Sequence, residues 1–181
     1  MNSLKTVPNY LTLIRFLMVA PICYAIIQQL WLMASIIFIV AIISDLLDGY
    51  AARTLEQKSA LGGLFDHATD AIFVCAGLAC VAVDGPVNQW LPPLVILSFI
   101  QYALDSKALS GQKLVSSVIG RSNGIAYFVL LGCAVGSKTL GFDSNVFSLI
   151  ILIASWILCL STIISMFDRA IALWRSSRNA T

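Results

Sequence analysis

The sequence predicts an all-α, polytopic membrane protein with six transmembrane helices. Three observations carry that prediction. First, 59% of the 181 residues are hydrophobic and only 11% are charged, whereas soluble domains carry about 25% charged residues. Second, the mean hydropathy is +0.91, and the apolar residues fall into runs of membrane-spanning length. Third, turn chemistry separates those runs at regular intervals. Six spans of about 20 residues use about 120 residues, which leaves short loops and tails and one domain over residues 1–181. A soluble monomer, a disordered chain and a nucleic-acid binder driven by a strong basic patch are excluded, since the net charge is only +2.

In chain order, the helices are expected at about 9–28, 31–53, 64–83, 90–107, 120–137 and 146–171. Each is apolar on most faces, which suits burial in lipid and protein. Pro21 is expected to kink the first span, a defect that neighbouring helices tolerate. Gln28-Gln29, the polar stretch from Thr54 to Gly63, Asp84-Gly85-Pro86, Ser110-Gly111-Gln112 and the segment from Gly141 to Asn145 supply the breaks. Gly62-Gly63 is expected to end the second loop and open the third helix. Trp31, Trp90, Tyr102, Trp156 and Trp174 read as an interfacial belt. No internal repeat is visible, and the first apolar run lacks the small-residue cleavage site of a signal peptide. The five cysteines form no Cys-x-x-Cys pair and read as buried free thiols.

With six helices, both termini share a side with the loops after helices two and four. That side holds Lys5, Arg15, Arg53, Lys58, Lys107, Lys113, Arg121, Arg169, Arg175 and Arg178, and only Lys138 falls opposite. The positive-inside rule makes the basic side cytoplasmic.

The acidic residues are the anomaly. Five of the nine lie between Asp45 and Asp70. Asp45 and Asp48 are spaced i, i+3 near the end of helix two; Asp66 and Asp70 are spaced i, i+4 near the start of helix three. Each pair shares one helical face. A short loop makes the two helices antiparallel, so four carboxylates converge at their cytoplasmic end. Such a cluster is costly at a membrane, and its repulsion is relieved by protonation or cations. Two divalent ions balance four carboxylates, and hard oxygen donors suit Mg²⁺, Mn²⁺ or Ca²⁺ over zinc. Two such ions can bind a diphosphate and stabilise a phosphoryl displacement. Arg53 suits a phosphate or a lipid headgroup equally well.

The run Asp45-x2-Asp48-Gly49-x2-Ala52-Arg53-x8-Gly62-x3-Asp66-x3-Asp70 resembles, position for position, the signature of the CDP-alcohol phosphotransferases. The opening segment from Pro8 to Arg15 is also similar to that family's entry into its first helix. The resemblance implies a six-helix, commonly homodimeric membrane enzyme that uses two Mg²⁺ or Mn²⁺ ions. It would transfer a substituted phosphate from a CDP-linked donor to an alcohol and release CMP. It implies that Asp45, Asp48, Asp66 and Asp70 are metal ligands, that Asp66 and Asp70 are catalytic, and that Asp70 is the general base. Gly49, Ala52, Arg53 and Gly62 would contact or make room for the nucleotide, with Asn9 and Thr12 close by.

The preferred reaction joins CDP-diacylglycerol to glycerol 3-phosphate, with Arg121, Lys113, Lys107 and His67 as acceptor contacts. His67 and Ala71 depart from the Pro and Lys usual in phosphatidylglycerol-phosphate synthases. The Asp66-His67 pair is closer to the choline and ethanolamine phosphotransferases, where diacylglycerol is the acceptor. Inositol phosphate, serine and phosphatidylglycerol are further candidate acceptors. Asp105 is expected to pair with a local cation. The rival classes are an ion-coupled transporter, marked by intramembrane carboxylates, and a non-catalytic scaffold. The expected setting is a bacterial inner membrane, with both termini and the active site cytoplasmic.

Overall fold

In the computed structural model, residues 7–54, 60–105, 118–142 and 144–178 are described, and all of their regular structure is helical. The elements are α1 (Val7–Leu17), α2 (Val19–Ile27), α3 (Trp31–Thr54), α4 (Ala60–Asp84), α5 (Leu91–Asp105), α6 (Val118–Thr139) and α7 (Asn145–Arg178). Five segments among them are long and apolar enough to cross a membrane: Tyr10–Ile27, Trp31–Tyr50, Gly62–Asp84, Val118–Thr139 and Asn145–Ala172. Leu91–Asp105 is a shorter apolar helix, about 22 Å long at 1.5 Å per residue.

The first span is not one helix. It breaks at Met18, three residues before Pro21, and the cause is covalent. Pro21 has no N–H to donate to the Leu17 carbonyl, and its ring clashes with that same carbonyl. At the break the Met18 N–H is shared between the carbonyls of Ile14 and Arg15, both at 3.1 Å, a tightening common at helix ends. Gln29 then turns the chain through a left-handed conformation (φ 55°), and Gly141 (φ 73°) does the same after α6. A left-handed residue is a common way to end a helix, and Gly adopts it without cost. Ser144 caps α7 by accepting the Phe147 N–H at 3.2 Å.

Two expected boundaries move. The last helix continues to Arg178, because apolar character marks where lipid ends and not where helix ends; residues 172–178 contain no Gly or Pro to stop it. At the other correction, α4 begins at Ala60, so Gly62 and Gly63 lie inside its first turn and do not precede it.

Helix α4 is central, packed against α1, α2, α5 and α6, while α3 packs against α1, α2 and α6. Two glycines permit close approach to α6. A Cβ on Gly77 would sit 2.7 Å from a Leu131 methyl, and one on Gly132 would sit 2.8 Å from the Phe38 ring. Across this junction the Phe128 ring stacks on Phe73 and lies tilted against Phe38. Buried polar pairs join the helices as hydrogen bonds do inside membranes: Tyr127 with Thr162 at 2.6 Å, Ser161 with Asn123 at 2.7 Å, and Ser35 with Thr139 at 2.7 Å. Large apolar side chains such as Leu32, Leu46, Leu160 and Phe167 point outward, which suits lipid and not water. Of the five free cysteines, only Cys159 is buried and Cys133 is exposed.

Candidate active site

The four aspartates expected to converge do so. Asp45 and Asp48 lie nine and six residues before the end of α3, and Asp66 and Asp70 six and ten residues after the start of α4. At 1.5 Å per residue these are depths of about 9–15 Å from the helix ends. Arg15 lies eight residues into α1, about 12 Å deep on the same scale. Helix α1 packs against both α3 and α4, and its Arg15 reaches the carboxylates of each, so five charges meet in one layer.

Arg15 occupies the centre of that layer. Its side chain is fully buried, with Nη2 3.1 Å from Asp45 and also on Asp48, and Nη1 3.0 Å from Asp66 and also on Asp70. One terminal nitrogen therefore serves each helix's pair of carboxylates. Its Nε lies 3.5 Å from the Ser44 hydroxyl. Asp48 is 4% exposed, whereas the Asp45 side chain is 42% exposed, so the cluster is sealed on one flank and open on the other. Sequence reasoning counted Arg15 only as one of the charges that orient the chain. The signal for more was available: a cation inside an apolar span needs a partner at its own depth.

Two sets of three side chains place one ligand atom each within 4.8 Å of one another: Asp45, Asp48 and Asp66, and Asp66, His67 and Asp70. Asp66 is common to both. The donors are mainly hard carboxylate oxygens, the kind that Mg²⁺ and Mn²⁺ prefer, so the residues present fit a metal ion.

The open flank leads into two cavities. The first, of about 550 Å³, has Asp45, His67 and Asp70 on one wall, with Arg121, Arg169, Tyr102 and Tyr127 also lining it. His67 meets Tyr102 edge to face at 5.9 Å, and the Arg169 guanidinium lies 4.8 Å from the Tyr102 ring centre. Tyr102 is therefore 8% exposed inside the site and no part of an interfacial belt. Arg169 is also the cation near Asp105. The second cavity, of about 610 Å³, is a mostly apolar cleft between α3 and α6. It shares Asp45, Ile125 and Phe128 with the first and extends past Phe38, Gly132 and Gly136.

Among the other expected residues, Thr12 is buried beside the cluster, its hydroxyl 3.5 Å from Asp48. Gly49 and Gly62 are half-buried on α3 and α4. Asn9 falls in α1, and Ala52 and Arg53 in the last turn of α3; only their backbone is described. Lys107 and Lys113 lie outside the described residues. Arg169 was not singled out from the sequence, because its partners Tyr102 and Asp105 are more than sixty residues away along the chain.

The sequence model of the CDP-alcohol phosphatidyltransferase family matches residues 5–168. A CDP-diacylglycerol–glycerol-3-phosphate 3-phosphatidyltransferase of Blochmanniella floridana is 33% identical over 97 residues, covering 52% of this chain and 50% of the relative. A putative cardiolipin synthase of Mycobacterium tuberculosis is 33% identical over 92 residues, covering 49% of this chain and 43% of the relative. A cardiolipin synthase (CMP-forming)/mitochondrial hydrolase fusion protein of Schizosaccharomyces pombe is 27% identical over 163 residues, 80% of this chain and 27% of the relative. The chain spans about half the length of the first of these. No solved structure matches.

Proposed function

The chain belongs to the CDP-alcohol phosphatidyltransferase family, and from that premise we propose that it transfers a phosphatidyl group from CDP-diacylglycerol to glycerol 3-phosphate and releases CMP. The observation that carries this reading is a pair of cavities that share Asp45, Ile125 and Phe128. One is a mostly apolar cleft; the other is lined by Asp45 and Asp70 of the carboxylate cluster and by Arg121 and Arg169. A lipid diphosphate and a phosphorylated alcohol need those three environments side by side.

Asp45, Asp48, Asp66 and Asp70 would hold two divalent cations, with Asp66 common to both sets. With Mg²⁺ or Mn²⁺ held by these residues, the charge of the diphosphate would be neutralised and CMP would become a good leaving group. Asp70, on the cavity wall, takes the proton of the acceptor hydroxyl. The hydroxyl oxygen bonds to the phosphorus that carries diacylglycerol, and the bond from that phosphorus to the bridging oxygen of CMP breaks. Arg121 and Arg169 hold the acceptor phosphate by charge-assisted hydrogen bonds, with Lys107 and Lys113 on the same side of the membrane. His67 braces Tyr102 at the mouth of that cavity. Gly49 and Gly62 leave room for the nucleotide beside Asn9, Thr12, Ala52 and Arg53. The acyl chains lie in the cleft between α3 and α6, where Gly136 leaves space for them.

We further propose that α5 completes a sixth span, and that the protein is a homodimer in a bacterial inner membrane with its termini and site cytoplasmic. The distribution of basic residues supports the orientation. A transporter or scaffold is disfavoured by the family match and by the gathering of acidic groups on two helices.

The test is CMP release by purified protein in detergent with Mg²⁺ or Mn²⁺. CDP-diacylglycerol is offered with glycerol 3-phosphate, inositol phosphate, serine or phosphatidylglycerol in separate reactions. Parallel reactions pair CDP-choline or CDP-ethanolamine with diacylglycerol, the arm that His67 beside Asp66 motivates. CMP with glycerol 3-phosphate is expected. CMP only with another acceptor would replace the substrate assignment, and silence in every arm would remove the reaction.

A further inference from the structure

We infer that Arg15 is a built-in counter-cation of the carboxylate cluster, and that its guanidinium competes with divalent cations for the same oxygens. The inference rests on the reading of the four aspartates as metal ligands and goes beyond it by assigning a role to a residue of a different helix. Arg15 touches one oxygen of every one of the four, and its two terminal nitrogens divide them by helix. These are also the carboxylates of the two candidate metal-ligand sets. A guanidinium fork and a divalent cation thus have a common address.

Burial explains why such a cation is present. Four carboxylates inside the layer of one membrane face would repel one another strongly. A fully buried Arg15, with Ser44 within 3.5 Å of its Nε, lets α1, α3 and α4 pack with the cluster partly neutralised. One positive charge against four negative ones leaves three uncompensated. The cluster therefore still attracts cations, but less steeply than four bare carboxylates would. Arg15 is a positioning residue on this account: it sets the affinity of the site for metal and keeps the helices together, and it acts on the reaction only through the carboxylates, Asp70 included.

A purely structural spacer makes the opposite prediction. If Arg15 only holds the carboxylates in register, removing it splays them and weakens metal binding. If it is a competitor, removing it tightens metal binding, provided the fold survives. The experiment is Mn²⁺ binding to the detergent-solubilised full chain, followed through the resonance signal of free Mn²⁺, for wild type, Arg15→Lys and Arg15→Met. Only protein that elutes as one monodisperse peak is scored. The expected order of Kd is Arg15→Met lowest, at least tenfold below wild type, with Arg15→Lys between them. In EDTA the Arg15→Met protein should unfold at a lower temperature than wild type, and Mn²⁺ should raise its midpoint by more. Should Arg15→Met not fold, Arg15→Lys decides alone, since an ammonium keeps the charge but cannot bridge both helices. A Kd for the folded variant equal to or above that of wild type overturns the competitor. Failure of wild type and variants alike to bind Mn²⁺ would instead overturn the metal-site reading beneath it.

Discussion

The two halves of the site are built on different terms. On the α1–α3–α4 side the charged cluster is partnered within the chain: Arg15 answers all four aspartates, and Thr12 and Ser44 line the same layer. On the α5–α6–α7 side several buried polar atoms are left over among the described residues. Gln101 Oε1, Asp105 Oδ2, Asn123 Nδ2, Ser165 Oγ and Arg169 Nε have no hydrogen-bond partner among the described residues. A buried polar atom without a partner costs about 1–3 kcal/mol, and of these five residues Arg169 also lines the first cavity. On the proposed reaction the first half would serve reactivity and the second selectivity, since Arg121 and Arg169 of the second line the cavity.

The comparison can be broken first at Asp70. Asp70→Asn keeps the shape and removes the base, so CMP release should fall by about 10²–10⁴-fold while the protein still elutes as folded material. A loss of less than tenfold would move the base elsewhere and leave the cluster with charge compensation alone. Arg169→Met tests the other half and should do less. Losing one charge-assisted contact of about 1.5–3 kcal/mol should raise the KM for glycerol 3-phosphate by about 10- to 100-fold. The KM for CDP-diacylglycerol should stay within about twofold, since Arg169 lines only the cavity on the acceptor side. Equal effects on both substrates would erase the proposed division between the halves.

That division also governs what could be read from the chain. The four aspartates were legible because each pair lies within one turn of one helix, and a short connection forces the two pairs together. Arg15 was half legible: the charge in an apolar run is plain, but that α1 packs against both α3 and α4 is a tertiary fact. Arg169 was not legible at all. Nothing local distinguishes it from Arg175 or Arg178, and its role follows from Tyr102 and Asp105 on α5. The break in the first span shows the same gradation. Pro21 announces it, and the i−4 rule places it near Leu17, yet its result as two separate helices needed the fold.

The apolar cleft is the next place to sharpen the contrast, at a smaller scale. Gly136 lines it, and a Cβ there would meet nothing within 4 Å. Gly136→Leu should therefore fold normally but fill space assigned to an acyl chain. The KM for CDP-diacylglycerol should rise by about tenfold, with the KM for glycerol 3-phosphate unchanged. An unchanged lipid KM would mean that the chains lie elsewhere.

The smallest expected effect is at Tyr127, where α6 meets α7. Its hydroxyl and that of Thr162 are 2.6 Å apart, while the Thr162 hydroxyl is also 2.6 Å from the Leu158 carbonyl. Tyr127→Phe therefore leaves Thr162 able to donate to Leu158 and removes one hydrogen bond, worth about 1 kcal/mol. For a chain of this size that corresponds to a fall of about 2–4 °C in the thermal midpoint. Tyr127 also lines the acceptor cavity, so the same variant asks whether its hydroxyl is a strut or a contact. A small drop in Tm with unchanged KM for glycerol 3-phosphate makes it a strut between helices. A KM raised with no change in Tm would place Tyr127 beside Arg169 among the groups that the acceptor completes, and the second half of the site would extend one turn deeper along α6.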